Sequence, residues 1–533
     1  MASFRVAKSD PSRHTVVCRS KDCTFKWHAS KQANGEIKAV TVTPHICSPA
    51  THLGWRTANS VAIHLPRHQS FVEANRRLTP QSILTNERVV HGHNLQYRQA
   101  HRIREAARYQ MEGNTADSYQ KLPAYFDVLR TASSGTTAVL EVIEERFYRC
   151  FIAPAAVKNA AATLRPFVAM DGAHCTTPYG GILLIAVGLD ANNESLPLAW
   201  AVVPVEDGNH WKWFLRQFQA AYPSLTAPRS VLMSDRDKGL IGGIQEVLPQ
   251  CFAARCCQHL ADNVATRYGA ACRPLFWACA YAKTTEAFQE AVLALRQHHP
   301  MAATWLEAID KQTWATCAFP TARYGHLTSN LVESINSHWL DARDHAAFGL
   351  LRAVWALMAS KIYRRSEAKH ADFICQKPAK LLDEAYTKSR RYAVTSYDQG
   401  IGTVTKGEGT YQVTLPASQC SCGSYQEIGI PCEHAIALCL AQRLDPEHYT
   451  MPIYHTTAYK QQYEQRLPPF DSENLALAAS CKVSCHQRAA GRPRKARRRI
   501  GQNAGSSYTC QRCGEQGHNS RNKRCQGARN GGL

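Results

Sequence analysis

An α/β fold is predicted for the centre of the chain, interrupted by an all-helical insertion and accompanied by small zinc-binding modules. Three observations predict it. Between about 166 and 255, short apolar runs and amphipathic stretches follow the order strand, strand, strand, helix, strand, helix, strand. Runs of about 4–8 apolar residues bounded by turn signals fit buried strands, and their mixture with helices fits a layered α/β sheet. From about 260 to 325 the pattern is helical throughout, and cysteine and histidine gather at ligand spacing in three places.

In chain order, residues 1–62 alternate polar and apolar positions with close Cys and His, which predicts a small β-rich module. Residues 63–160 predict a helical region, with Tyr97–Ile103 and Val139–Phe147 as examples and a break at Ser133-Ser134-Gly135. The core begins within 161–260. Pro166–Met170 runs into Asp171; Gly181–Leu189 and Leu198–Val203 follow, then a helix over Trp211–Tyr222. A strand over Arg229–Met233 ends at Ser234-Asp235, a helix covers Lys238–Leu248, and Cys251–Arg255 is a last short strand. Residues 261–325 form the insertion, with Trp277, Phe288, Leu295 and Trp305 as expected core anchors. Helices over Asn330–Leu340 and Leu350–Ile362 make 326–390 the second part of the core. Residues 391–445 carry strands and a Cys/His cluster, 446–486 reads as a linker, and 487–533 as a basic tail of disordered composition. No solenoid-type repeat is visible.

The chain has 533 residues, 44% hydrophobic and 20% charged, which fits folded protein of about three or four domains and excludes a wholly disordered chain. The longest clean apolar run, Ile182–Leu189, is far below the ~18 residues of a membrane helix, so no membrane role is expected. The start, Met1-Ala2-Ser3-Phe4-Arg5, shows no apolar signal region, and 21 cysteines in such a chain read as metal ligands and core residues in a reducing compartment. The net charge is +21. From Arg488 to Arg529 twelve Lys and Arg face one acid, Glu515, so the tail calls for a polyanion such as a phosphate backbone, or serves only solubility.

Three acids stand where two-metal chemistry would want them: Asp171 and Asp235 at strand ends, and Glu333 in Leu331-Val332-Glu333-Ser334-Ile335-Asn336. Strand ends of an open α/β sheet bind ligands, and a helix across them can add a third carboxylate. Carboxylates suit Mg²⁺, and a metal pair can clamp both oxygens of a phosphodiester displacement. Spacing alone does not separate these three from ordinary acids; their surroundings do. Ala169–His174, then Gly188–Asn193 and Leu196–Ala199, resemble the first-Asp block of the transposases of Mutator-like elements. Ser234–Leu240 resembles the second block and Leu331–Asn336 the Glu block, and the likeness extends over about 60 to 345. It implies an RNase H-like core with a helical insertion before the Glu, Asp171, Asp235 and Glu333 as a DDE catalytic set using Mg²⁺ or Mn²⁺, and a homo-oligomer acting on terminal inverted repeats and target DNA in the nucleus. Asp190 reads as a strand-end cap and Asp237 as a neighbouring acid. The family's Cys-x-x-His element appears as Cys256-Cys257-Gln258-His259, with Cys256 and His259 either supporting the site or packing.

Cys420-x-Cys422 and Cys432-x-His434 match a closed tetrahedral zinc site and resemble the SWIM zinc finger that accompanies this family; Cys439 reads as core. Cys18, Cys23, His45 and Cys47 resemble a WRKY/GCM1-like zinc module for DNA binding, with 17 residues ahead of Cys18. Cys510, Cys513, His518 and Cys525 resemble a CCHC zinc knuckle for single-stranded nucleic acid, with six residues in the last gap where a retroviral-type knuckle has four. Gly491-Arg492-Pro493-Arg494-Lys495 resembles an AT-hook, whose Arg492, Arg494 and Lys495 would enter an A·T minor groove; with Arg497–Arg499 it also fits a nuclear localisation signal. The expected function is a DNA transposase. A transposase-derived regulator that binds without cutting is the alternative, and an RNA-binding adaptor would leave the acidic core unexplained.

Overall fold

The structure, a computed structural model, describes residues 4–10, 12–18, 23–32, 36–44, 46, 79–92, 95–112, 115–175, 180–235, 238–369, 372–469 and 474–484. The expected ligands His45 and Cys47, Asp237, the basic hook and the C-terminal Cys/His cluster lie outside the described residues.

An antiparallel meander opens the chain: β1 (Phe4–Asp10), β2 (Arg13–Cys18), β3 (Lys26–Lys31) and β4 (Ile37–Thr43), in that spatial order. Cys18 is buried at the end of β2 and Cys23 lies in the loop before β3. A helical pair, α1 (Pro80–His91) and α2 (Tyr97–Glu112), closes over Ile83, Ala100, Ile103 and Ala107. Thr79 caps α1, accepting the Ser82 N–H at 3.1 Å, with Pro80 at the first helical position, where its missing N–H costs nothing. Helices α3 (Thr115–Gln120) and α4 (Leu122–Ala132) follow, and α4 stops before the predicted break at Ser133.

The region expected to be helical through 160 then turns to strand. Val139–Phe147 belongs to a hairpin, β5 (Thr137–Ile143) and β6 (Arg146–Ala153), and not to a helix. Its two-residue turn is Glu144-Glu145, with φ of 49° and 58°. Left-handed backbone at both positions matches the strand twist, but Asn-Gly is its usual signature, so two glutamates give no turn signal. Contacts from 337 residues away hold the turn: the Lys482 N–H donates to the Glu145 carbonyl at 2.7 Å and its ammonium to the Glu145 carboxylate at 2.5 Å.

The main sheet has seven strands in the order β11-β10-β7-β8-β9-β6-β5. Strands β7 (Phe167–His174), β8 (Ile182–Leu189) and β9 (Ser195–Val203) form an antiparallel meander; β10 (Val231–Ser234) and β11 (Phe252–Arg255) add parallel to β7. All eight residues of β8 are buried, the near-continuous apolar run that a strand covered on both faces requires. Short α5 (Ala155–Ala160) links β6 to β7; α6 (Gly208–Ala221), capped by Asp207, and α7 (Lys238–Val247) supply the crossovers. Phe151 of β6 packs on Trp213 and Phe214 of α6, whereas Trp200 of β9 meets Trp339 at 5.7 Å behind α12 (Asn330–His338). Phe151 pairs with Ala201, so the two helices cover opposite faces.

Helices α8 (Cys257–Tyr268), α9 (Cys272–Tyr281), α10 (Thr285–His298) and α11 (Pro300–Glu307) form the insertion around their own core. Leu295 is fully buried there, while Trp277, Phe288 and Trp305 are partly buried against it; Trp314, stacked on Phe276 at 5.5 Å, is the buried indole. The Cys257 N–H donates to the Leu327 carbonyl at 2.8 Å and closes the insertion at its base. Long α13 (Ala347–Ser366) and α14 (Gln376–Ser389) lead to a four-stranded sheet, β12 (Ala393–Asp398), β13 (Ile401–Lys406), β14 (Gly409–Thr414) and β15 (Gln419–Cys420), with α15 (Ser424–Ile428) and α16 (Glu433–Ala441).

In the segment 446–486, expected to be a linker, described residues pack on the core instead, among them Tyr459, Tyr463, Leu467 and Cys481. In α17 (Thr456–Gln462) the Gln462 amide bonds both the Ala191 N–H and the Thr163 carbonyl at 2.9 Å, and Tyr459 and Tyr463 join the central core. A polar composition hid their role because the apolar part is aromatic and spaced among charges. Asp190 closes the β8–β9 turn as expected, accepting the Glu194 N–H at 2.8 Å, but it is also fully buried, ion-paired with Arg365 at 3.0 Å and bonded by the Tyr463 hydroxyl at 2.7 Å.

Candidate active site and zinc centre

Register brings two of the predicted acids together. Met233 of β10 pairs with Ala169 of β7 in parallel, so two residues on Asp235 comes level with Asp171 and on the same face. That face is the one under α12: Asp171 pairs with Ile185, and Ile185 with Trp200. Glu333 lies in the first turn of α12, and one turn later Asn336 donates to Asp171 at 3.2 Å. Asp171 and Asp235 are half-buried and Glu333 is exposed.

Burial first, then the charges of Asp235, Glu206 and Glu333, push the Asp171 carboxyl up to about 7, although the Gly172 N–H bonds it at 2.9 Å. Glu206 is a fourth carboxylate that the sequence did not single out. It stands just ahead of α6 on the opposite sheet face, its Oε1 taking the Trp211 indole N–H at 3.3 Å. A Cβ on Gly172 would lie 2.5–2.6 Å from the Glu206 carboxylate, so the glycine leaves the room in which Glu206 approaches the strand. Nothing in the local pattern around Glu206 announces this, because the space comes from a residue 34 positions earlier.

The Cys-x-x-His element sits at the same cleft. Cys256 is buried at the start of α8, takes the Ser329 N–H at 3.3 Å, and donates its own N–H to Ser234 at 2.9 Å, tying the loop ahead of α12 to the end of β10. Burial opposes thiol ionisation, but bonds from His259 and Ser329 outweigh it and hold Cys256 below its usual value. The bond to Cys256 raises His259 to about 9, against burial and with help from the charges of Cys256, Asp235 and Glu333. A cationic imidazole thus stands among the acids. Carboxylates that raise one another's proton affinity are the donor set a divalent cation relieves, so the chemistry of these residues fits Mg²⁺ or Mn²⁺.

The second centre is compact. Among the described residues, the group of three or more Cys, His, Asp or Glu whose ligand atoms converge within 4.8 Å is Cys420, Cys422, Cys432 and His434. Cys420 Sγ lies 3.6 Å from His434 Nδ1, Cys432 Sγ 3.8 Å from the same nitrogen, and Cys422 Sγ 3.7 Å from Cys432 Sγ. A tetrahedron with Zn–S of about 2.3 Å and Zn–N of about 2.0 Å has edges of this length, so the side chains fit zinc. The Ser424 N–H points at Cys422 Sγ at 3.4 Å, and Tyr411 stacks on the His434 ring at 3.8 Å. Cys439 is fully buried in the apolar cluster beside the site. The N-terminal cysteines Cys18 and Cys23 are placed as described above, and their expected partners lie outside the described residues.

The zinc loop also touches the insertion. The Glu427 carboxylate, largely buried, accepts the N–H groups of Arg323 and Gly325 at 3.2–3.4 Å, and Lys283 donates to Ser424 at 2.7 Å. Arg323 is fully buried, bonding the Trp314 carbonyl and Thr316 at 2.8 Å.

The family model of the MULE transposase domain matches residues 167–263, which span β7 to α8 with Asp171, Asp235, Cys256 and His259. That of the SWIM zinc finger matches residues 411–442, with all four converging ligands. Together they are consistent with a Mutator-like transposase, whose domain implies DNA as partner. No curated protein matches the chain. Among the described residues no helix is long and apolar enough to cross a membrane.

Proposed function

We propose that the protein is the DNA transposase of a Mutator-like element, with an RNase H-like core that binds terminal inverted repeats, cuts at them and joins the ends to target DNA. The observation that carries this proposal is the convergence of Asp171 and Asp235 on adjacent parallel strands beneath the helix that bears Glu333. A divalent cation bound there, Mg²⁺ or Mn²⁺, would polarise the scissile phosphate and lower the proton affinity of the attacking water or 3′-hydroxyl. Asp171, Asp235 and Glu333 would hold it; Asn336 fixes one Asp171 oxygen, and His259 sets a positive charge beside Asp235 and Glu333. The strand order, with two parallel strands on one side of β7 and the antiparallel β8 and β9 on the other, supports the RNase H-like assignment. The converging cysteines and His434 would hold structural Zn²⁺. The N-terminal module and the hook around Arg492 would hold DNA, the C-terminal Cys/His cluster single strands, and the basic run would direct the chain to the nucleus.

The test is nicking of the element's own terminal DNA by the zinc-loaded full chain with Mg²⁺ or Mn²⁺. Asp235→Asn keeps the shape but removes a ligand charge, so it is expected to bind the ends as the parent does and to lower nicking at least 100-fold. Unchanged nicking in that variant would falsify the catalytic assignment. Tight, sequence-selective binding by a parent chain that never nicks would instead identify a transposase-derived regulator.

A further inference from the structure

We propose that a cationic groove along the C-terminal half of α13 holds the phosphodiester backbone of duplex DNA, at the opposite end of the sheet from the acidic cleft; this deepens, and rests on, the transposase function above. The groove is formed by two adjoining cavities. One, of about 590 Å³, is lined by Lys361, Arg364, Arg365 and Lys369, with Glu194 and Asp372 as its acids. The other, of about 480 Å³, shares Arg365 and Tyr459 with the first and adds Lys460 and Arg466, with Glu464 as its acid.

The cations are unequally committed. Arg365 is fixed by Asp190 and Glu194, each at 3.0 Å, and Glu194 is covered a second time by Lys377 at 2.8 Å. Arg466 pairs with Glu367 at 2.6 Å. Among the described residues no carboxylate lies within ion-pair distance of Lys361, Arg364 or Lys369. Burial, and then the neighbouring Arg365, push the Lys361 ammonium down to about 8, a strain that a bound anion relieves. The cations extend through both cavities, an arrangement that follows a chain of phosphates better than it cups one anion.

The spacing fits the same ligand. Val187 pairs with Ala169, so Asp190 beneath the groove is level with Pro166, five residues along β7 from Asp171. At about 3.3–3.4 Å per residue, Asp190 and Asp171 are about 17 Å apart along the strand direction, roughly five steps of duplex rise.

The experiment is a salt titration of duplex binding by the zinc-loaded full chain, using the element's end and an unrelated duplex of equal length. Arg364 and Lys369 are exposed, so Arg364→Gln/Lys369→Gln removes two charges without touching the core. Each lost phosphate contact lowers the slope of log K against log salt by about 0.9, so the pair is expected to reduce it by about 1–2 and weaken both duplexes alike. Lys380→Gln/Lys388→Gln, which removes the same charge from exposed positions on α14 outside either cavity, is expected to leave the slope unchanged. Arg364→Lys/Lys369→Arg, with charge kept, is expected to restore it, which excludes a folding effect. Equal slopes for the parent and the groove pair would overturn the proposal, as would equal losses in the two Gln pairs. Inorganic pyrophosphate that binds the parent but not the groove pair, with duplex slopes unchanged, would assign the groove to a small anion. A parent chain that binds neither duplex takes down the transposase function itself, and with it the groove.

Discussion

Asp171 carries a clear electrostatic signature. Its carboxyl titrates near 7 in the fold against 3.8 in an unstructured chain, because burial and three neighbouring acids disfavour its charge. The folded state therefore holds a proton that the unfolded state releases between pH 4 and 7. For this group, stability is fully present below pH 4 and is lost as pH rises toward 7, with a slope of at most about 1.4 kcal/mol per pH unit. We predict that urea unfolding of the protein without divalent cations shows this loss and that Asp171→Asn flattens it. Added Mg²⁺ should flatten it in the parent as well, since a bound cation replaces the proton. A parent and variant with parallel stability profiles from pH 4 to 7 would sink the prediction. Glu206 and Asn336 act at the same scale: Glu206 raises Asp171 through its charge and Asn336 bonds it directly, and neither stands out in the sequence.

At the scale of elements, the loop from 320 to 329 decides where α12, and so Glu333, stands. Two of its N–H groups end on Glu427, which belongs to the zinc module, and its last residue, Ser329, donates its N–H to Cys256. Removing the carboxylate leaves buried donors unpaired, at a cost of about 1–3 kcal/mol. Glu427→Ala is thus expected to speed hydrogen exchange at Gly325 and to lower melting. Glu427→Gln should retain most protection, because its remaining Oε1 can accept both N–H groups. Equal exchange in Glu427→Ala and the parent would show that the loop does not depend on the zinc module. The Glu144-Glu145 hairpin shows the same dependence of an element on a distant partner: Lys482 neutralises a turn that its own residues do not favour.

Across the whole molecule, the zinc module and the segment after it fasten the chain to its centre. Structural zinc contributes folding free energy directly, because thiolates that would repel one another are held only by the ion. Cys432→Ser is expected to lose zinc and to open residues 411–442 to protease while the seven-stranded sheet stays folded. Cys439→Ala, in the same apolar cluster but outside the ligand group, should keep its zinc. Zinc content by atomic absorption and the cleavage map decide between them; full zinc in Cys432→Ser would remove that residue from the ligand set.

The sequence by itself determined the elements whose signal is local. The strands from Phe167 to Arg255 and the helices between them were legible because each is a run of apolar residues long enough to be buried and ended by a turn. The Cys/His cluster that fits zinc was legible because Cys420, Cys422, Cys432 and His434 sit on short, fixed spacings. The sequence pattern puts both acids at strand ends, which holds for Asp235, just past β10, but not for Asp171, which lies inside β7 because pairing with β8 continues to His174; the parallel register that sets them level is a property of the sheet. Tertiary structure alone decided the rest. It made a hairpin of Val139–Phe147 and core of Tyr459 and Tyr463, and it brought Glu206 to Gly172 and Glu427 to Gly325. In each case the deciding contact joins residues far apart in the chain, so its free energy does not appear in any window of neighbouring residues.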